Sequence, residues 1–223
     1  MIPWERLDSA PVPGGGEFLH LFRRGEEYSI RIGRSTELMN SRMHGSEDRL
    51  AEAACARLAG RPRPRMLIGG LGMGFTLAAA LRRLGPDAEV VVAELVPAVV
   101  DWNRGPLGAP SGRPLDDARV EVHTGDVGAL LRSATAACDA VLLDVDNGPA
   151  GLTHKGNDWL YGDAGLRAAR AALRPGGVLA VWSAAPDRRF RARLRQAGFE
   201  VEELRVRAHR NRGARHIVWL AGT

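Results

Sequence analysis

The chain has 223 residues, 45% of them hydrophobic and 26% charged, with a formal net charge of +5. That size suits one domain, or one domain with a small appendage, and is ample for a buried core. Two cysteines without CxxC spacing exclude a disulfide framework and a cysteine-based metal site. Apolar runs too short to cross a bilayer, and no charged-then-apolar leader, make a reducing cytoplasm the expected setting, with no membrane partner.

Residues 1–16 carry Pro3, Pro11, Pro13 and Gly14 to Gly16 and read as an irregular arm. Phe18 to Phe22 and Tyr28 to Ile32 flank Gly25 and predict a β-hairpin. Asn40 to Gly45 is a polar link. Ser46 is positioned to cap a helix over Glu47 to Leu58, whose Leu50, Ala54 and Leu58 share one face. The N-terminal arm and hairpin therefore occupy 1–45, and a second unit 46–223.

From Arg61-Pro-Arg-Pro64 onward, strands and helices alternate. Strands are expected at Met66–Gly69, Glu89–Ala93, Val120–His123, Ala140–Leu143 and Val178–Trp182. Helices are expected at Thr76–Leu84, Ala98–Arg104, Val127–Ser133, Asp163–Leu173 and Arg188–Ala197. Nearly continuous apolar strands between helices indicate a parallel sheet covered on both faces. Phe199–Arg207 and His216–Leu220 have no helix between them and predict an antiparallel hairpin at one edge. The fold class is thus α/β: a Rossmann-like, mostly parallel seven-stranded sheet with a C-terminal antiparallel hairpin and a small N-terminal β-hairpin.

The chemistry-bearing residues fall at the carboxyl ends of these strands, where open α/β sheets bind ligands. Gly70-Leu71-Gly72-Met73-Gly74 follows the first parallel strand and opens a helix. Glu94, with Leu95 after it, closes the second strand about twenty residues past the glycines, the layout of a nucleoside-binding βαβ unit. There an acid can accept from two ribose hydroxyls. Gly125-Asp126, with Val127, follows the third strand. Asp126 is equally suited to capping the next helix or accepting from an adenine amine. Asp144 ends the fourth strand, and the segment to Tyr161 adds Asp146, Asn147, His154, Lys155, Asn157, Asp158 and Trp159 as a candidate substrate wall. Trp102 reads as core packing and His44 as a turn residue. Cys55 and Cys138 read as small core residues.

The pattern resembles class I S-adenosylmethionine-dependent methyltransferases, whose parallel sheet also gains one antiparallel strand last. Within them it is most similar to the spermidine synthase-like family, over roughly residues 18 to 183. Leu67-Ile-Gly-Gly-Leu-Gly-Met-Gly-Phe-Thr-Leu77 resembles that family's glycine motif. Asp117-Ala-Arg-Val-Glu-Val-His-Thr-Gly-Asp126 resembles its third-strand segment. Asp144-Val-Asp-Asn-Gly-Pro149 echoes its fourth-strand motif, and Leu160-Tyr161 its next helix start. The resemblance implies cofactor contacts from Gly70, Gly72, Met73, Gly74, Glu94, Leu95, Gly125, Asp126, Val127 and Asp144. It also implies substrate chemistry at Asp144, Asp146 and Asn147, and a homodimer contact through the N-terminal region.

Two departures bear on the reaction. Met73 stands where an aminopropyltransferase places a loop Asp, and Asn147 where it places a second Asp. Met cannot pair with an ammonium, and Asn cannot serve as a general base. The expectation is therefore a small-molecule methyltransferase using S-adenosyl-L-methionine, with Arg42 near enough to suggest a carboxylate contact. The alternatives are a polyamine aminopropyltransferase using decarboxylated S-adenosylmethionine, and a non-catalytic cofactor-binding protein. No metal is expected. Every basic residue of the Lys/Arg class except Lys155 is Arg, as codon bias in a G+C-rich genome produces. The arginines are spread along the chain, densest at Arg205, Arg207, Arg210, Arg212 and Arg215, so nucleic acid is not an expected partner.

Overall fold

A computed structural model of the chain describes residues 2–14, 16–33, 36–145, 158–209 and 212–223. Four N-terminal strands come first: β1 (Glu5–Pro11), β2 (Phe18–Arg24), β3 (Glu27–Ile32) and β4 (Thr36–Asn40). They form an antiparallel sheet in sequential order. The expected hairpin is the centre of this sheet, with Leu19 opposite Ile32 and Leu21 opposite Ile30. The expected irregular arm is corrected to an edge strand, in which Ala10 pairs with Leu19 and Pro11 with Phe18. An edge strand tolerates proline because one side of its backbone makes no ladder bonds.

Helix α1 (Gly45–Arg57) follows this sheet. Ser46 does not cap it; His44 occupies the N-cap position without a side-chain capping bond to the backbone, and the Ser46 hydroxyl donates to Glu47 Oε2 at 2.6 Å. Then follow β5 (Arg65–Gly69), α2 (Phe75–Arg83), β6 (Glu89–Glu94) and α3 (Pro97–Arg104). The short α4 (Gly108–Ser111) leads to β7 (Val120–Thr124), α5 (Val127–Ser133) and β8 (Cys138–Leu143). After residue 157 come α6 (Asp158–Tyr161), α7 (Asp163–Ala172), β9 (Leu173–Ser183), α8 (Arg188–Gln196), β10 (Glu200–His209) and β11 (Arg212–Gly222).

The seven-stranded sheet has the order β10-β11-β9-β8-β5-β6-β7. β5 through β9 pair in parallel, and β11 is antiparallel to both β9 and β10. Every residue of β8 is buried, as expected of a strand with helices over both faces. One face packs on α1, α2 and α3 through Leu50, Leu77, Val99 and Trp102, in the same core as Leu21 and Ile30 of the N-terminal sheet. The other packs on α5, α7 and α8 through Leu131, Leu166, Phe190 and Leu194. Cys55 and Cys138 are both buried, and burial pushes both thiols up. Trp102 is core, as expected, and its indole N–H donates to Asp8 Oδ2 at 2.7 Å, tying β1 to α3.

The sheet's lower end is fixed by a polar clamp. Asp139, near the start of β8, accepts from Arg61 Nη1 at 2.7 Å, Arg174 Nη1 at 2.8 Å and the Arg65 backbone N–H at 2.8 Å. Burial pushes the Asp139 carboxyl up, but these three donors outweigh it and hold it below the usual carboxylate range.

Candidate active site

The sheet order reverses between β5 and β8, and a cavity opens at their carboxyl ends. The β5–α2 loop enters it through Gly70, whose N–H donates to Ala93 O at 2.9 Å, while Asp144 N–H donates to Gly69 O at 2.9 Å. Gly70 has φ +88, and a Cβ there would lie 2.4 Å from Asp144 O, so only glycine lets the loop thread between β6 and β8. Gly72 and Met73 also line the cavity. Gly74 does not; at φ +80 it opens α2, and a Cβ there would meet Asn103 Oδ1 at 2.9 Å. The loop is braced from outside by Asn103, whose amide donates to Gly72 O at 2.8 Å and Val99 O at 2.9 Å.

Glu94 ends β6 and is 8% exposed. Its Oε2 accepts from Leu71 N–H at 2.9 Å and its Oε1 from Val96 N–H at 2.9 Å. Burial pushes its carboxyl up, and these amides partly offset that. Each carboxylate oxygen keeps a second acceptor site, so a vicinal diol can still bind there. Leu95, Gly125, Asp126 and Val127 line the next stretch of wall. Asp126 has both of its anticipated positions: its Oδ1 accepts from Gly128 N–H at 2.8 Å, capping α5, and it faces the cavity. Arg132 adds a contact to Asp126 Oδ2 at 3.1 Å.

Asp144 lies at the cavity's centre, its Oδ2 accepting from the Thr76 hydroxyl at 2.5 Å. Glu47, from the first turn of α1, lines the same cavity. Burial pushes Glu47 up to about 7, and the negative charge of Asp144 adds to the shift. Burial likewise pushes Asp144 up to about 6, against the Thr76 hydrogen bond. With no cation among the described lining residues, two carboxyls facing one cavity hold a proton near neutrality.

The rest of the wall is apolar. Leu19, Ile30 and Ile32 of the N-terminal sheet, with Leu38 and Met39, line it as well, Met39 lying against Gly72 of the glycine loop. Asn40 completes it, its amide donating to Glu37 Oε1 at 2.8 Å. Sequence reasoning missed Glu47, Thr76, Asn103 and this apolar cover. Glu47 looked like an ordinary first-turn acid; the only available signal was its place at the crossing from one sheet to the other.

Other candidates fall elsewhere. Arg42 is exposed, 3.8 Å from Glu27, and is not among the cavity's lining residues. His44 stacks on Phe75 with ring centroids 4.2 Å apart, and Asp48 at 2.9 Å raises its pKa. Asp146, Asn147, His154, Lys155 and Asn157 lie outside the described residues. Trp159 lies under Arg132 at 4.6 Å, and the Tyr161 hydroxyl donates to Val145 O at 2.9 Å. Among the described residues no His/Cys/Asp/Glu group could hold a metal ion, and no helix is long and apolar enough to cross a membrane.

No family model matches the chain. It is 36% identical over 130 residues to a polyamine aminopropyltransferase of Nitrosomonas europaea, a match covering 57% of this chain and 37% of that protein. It is 30% identical over 150 residues to a polyamine aminopropyltransferase of Mycobacterium tuberculosis, covering 63% of this chain and 28% of that one. These matches therefore span about a third of the relatives' length. Among solved structures, the spermidine synthase of Thermotoga maritima superposes with a TM-score of 0.76 at 16% identity, over 97% of this chain and 72% of that one. A spermidine synthase bound to the transition state analogue AdoDATO gives 0.75 at 16% identity, with the same coverage. The 1,6-didemethyltoxoflavin-N1-methyltransferase of Burkholderia thailandensis gives 0.58 at 22% identity, over 81% of this chain and 79% of that one. Sheet order, terminal hairpin and N-terminal antiparallel sheet together give this chain a spermidine synthase-like fold.

Proposed function

We propose that the chain is a transferase that moves the aminopropyl group of decarboxylated S-adenosylmethionine to an amine. One observation carries this reading. The cavity's described lining includes four carboxylates, Glu47, Glu94, Asp126 and Asp144, and no Lys, Arg or His. Such a lining attracts a ligand that ends in an ammonium and repels one that also carries a carboxylate. Methyl transfer from S-adenosylmethionine, the reading drawn from Met73, requires burying that carboxylate beside Glu47 and Asp144. Glu47 supplies, from α1, the negative charge that Met73 removes from the glycine loop. The names of the relatives lean the same way.

The nucleoside fits the rim. Gly70 leaves the space a Cβ would fill, Glu94 offers acceptors to the ribose diol, and Asp126 and Val127 stand where an adenine edge would lie. The bound cofactor would supply a sulfonium-activated carbon, open to in-line attack by an amine. The protein's own part is positioning, exclusion of water by the apolar cover, and a proton acceptor. Asp144 takes that last role, poised by the Thr76 hydroxyl, with Glu47 holding the cation beside it.

Calorimetry with the two forms of the cofactor tests the proposal. The decarboxylated form is expected to bind at least about tenfold more tightly, equivalent to about 1.4 kcal/mol. Glu47→Gln should erase most of that preference. Incubation with putrescine and the decarboxylated cofactor should release methylthioadenosine. Tighter binding of S-adenosylmethionine itself would overturn the proposal and return methyl transfer, the reading that Met73 favours.

A further inference from the structure

One helix concentrates arginines that are otherwise spread over the molecule. Helix α8 reads Arg-Arg-Phe-Arg-Ala-Arg-Leu-Arg-Gln, five arginines in nine residues and no acid. Its large apolar side chains, Phe190 and Leu194, are fully buried against the sheet, with Phe190 edge-on to Trp219 at 6.0 Å. Arg191 and Arg193 are half-buried at the edge of that contact, Arg193 lying over the Phe190 ring at 5.6 Å. Arg188, Arg189 and Arg195 are exposed.

The terminal hairpin extends this surface. Across β10 and β11, Glu203 pairs with Trp219, Arg205 with Ile217 and Arg207 with Arg215. Directly paired residues share a face. Trp219 and Ile217 pack in the α8-side core, so Arg205, Arg207 and Arg215 project on the α8 side. The ends also coincide. Ile217 pairs with Ser183, the last residue of β9, and α8 begins five residues later. Arg215 and Arg207 therefore lie at the end of the sheet where Arg188 and Arg189 start the helix.

Little inside the molecule explains this concentration. Among the described residues, no α8 guanidinium has a carboxylate at ion-pair distance, and Glu203 meets only Arg205, at 3.5 Å. Asp187 is spent as the α8 cap, accepting from the backbone of Arg189 and Phe190. The Nε atoms of Arg191 and Arg193 are buried without a hydrogen-bond partner. The i,i+4 pairs Arg189/Arg193 and Arg191/Arg195 repel, at about 0.2–0.5 kcal/mol each. Codon bias accounts for arginine in place of lysine, not for this placement.

We propose that the α8 face, continued by Arg205, Arg207 and Arg215, binds the phosphate backbone of nucleic acid. Guanidinium groups match phosphate oxygens bidentately. A protein partner would call for an apolar or aromatic centre, and a membrane surface for large exposed apolar side chains; the large apolar residues of α8, Phe190 and Leu194, are in the core and only Ala192 is exposed. The absence of exposed aromatics on the helix leaves backbone contact, without base stacking, as the mode. Binding is therefore salt-dependent and indifferent to sequence.

Fluorescence anisotropy of the full chain with a labelled duplex of about 20 base pairs tests this, the length being set to exceed one face of contacts. Neutralising three to five phosphates, affinity should fall about 50- to 500-fold between 50 and 200 mM salt. Reversing Arg188, Arg189 and Arg195 to Glu should abolish binding at 50 mM salt, and changing them to Gln should weaken it by about tenfold or more. Reversing Arg6, Arg49 and Arg104, which lie away from this face, should leave affinity within about twofold. Three results would overturn the proposal: no binding at the lower salt, equal loss in the control variant, or equal affinity for polyglutamate or anionic vesicles.

Discussion

Glu47 and Asp144 set the pH behaviour of the ligand-free protein. Both carboxyls titrate above their ordinary values, pushed up to about 7 and about 6. The folded state therefore holds protons that the unfolded chain has released between about pH 4 and pH 7. The stabilisation this gives is complete at acid pH and is lost as pH rises through the folded values. Glu47→Gln removes the charge and keeps the shape. It should raise the melting temperature at pH 8 and change it little at pH 5, a crossover that thermal scans at the two values would reveal. An equal shift at both would mean that Glu47 is not titrating in this range. The same residue marks where sequence reading stopped. Glu94 was legible because it closes β6 about twenty residues past the glycine loop, and Asp126 because it follows the next strand at the same end of the sheet. Glu47 was not, because its role depends on facing Asp144, and nothing local in α1 encodes that separation.

Among the elements, the parallel strands were readable because burial on both faces writes a nearly unbroken apolar run. Strand β1 was not, because few of its residues are apolar and prolines and glycines flank it, so it looks like a loop until β2 is there to pair with it. As an edge strand it pairs only with β2, and the bond from Trp102 to Asp8 ties it to α3 as well. Hydrogen bonding to Trp102, then to the Ser9 backbone, holds the Asp8 carboxyl below the usual range despite some burial. Trp102→Phe keeps the ring in the core and removes the donor. A loss of about 1 kcal/mol is expected. Hydrogen exchange should show the added opening concentrated in β1, whereas uniform loosening would mean that the bond does not serve the edge strand. The cavity's apolar cover comes from this same sheet, so its seating also affects how dry the site is.

At the scale of the molecule, two local surfaces carry one sign of charge each, carboxylates in the cavity and arginines over α8 and the hairpin, while paired charges cover much of the rest. Composition gave only the sum, +5. The fold class could be read from the order of elements, whereas this sorting depends on cross-strand register and on which helix face is buried. A different arrangement holds the opposite end of the sheet, where Arg61 and Arg174 converge on Asp139. Asp139→Asn keeps one acceptor but removes the charge both arginines share. A loss of about 2–3 kcal/mol is expected by denaturant titration, with the half-exposed arginines holding it below the full buried-pair figure. Because the carboxyl is held low in the folded state, its contribution is present at neutral pH and fades as pH falls through that lowered value.

That three-way clamp lets each β-strand serve two masters. Substitutions near the anchored end should register in unfolding curves while leaving ligand recognition intact, and those at the open mouth should do the reverse. A lineage could then retool the mouth for new chemistry while the anchor keeps the scaffold standing.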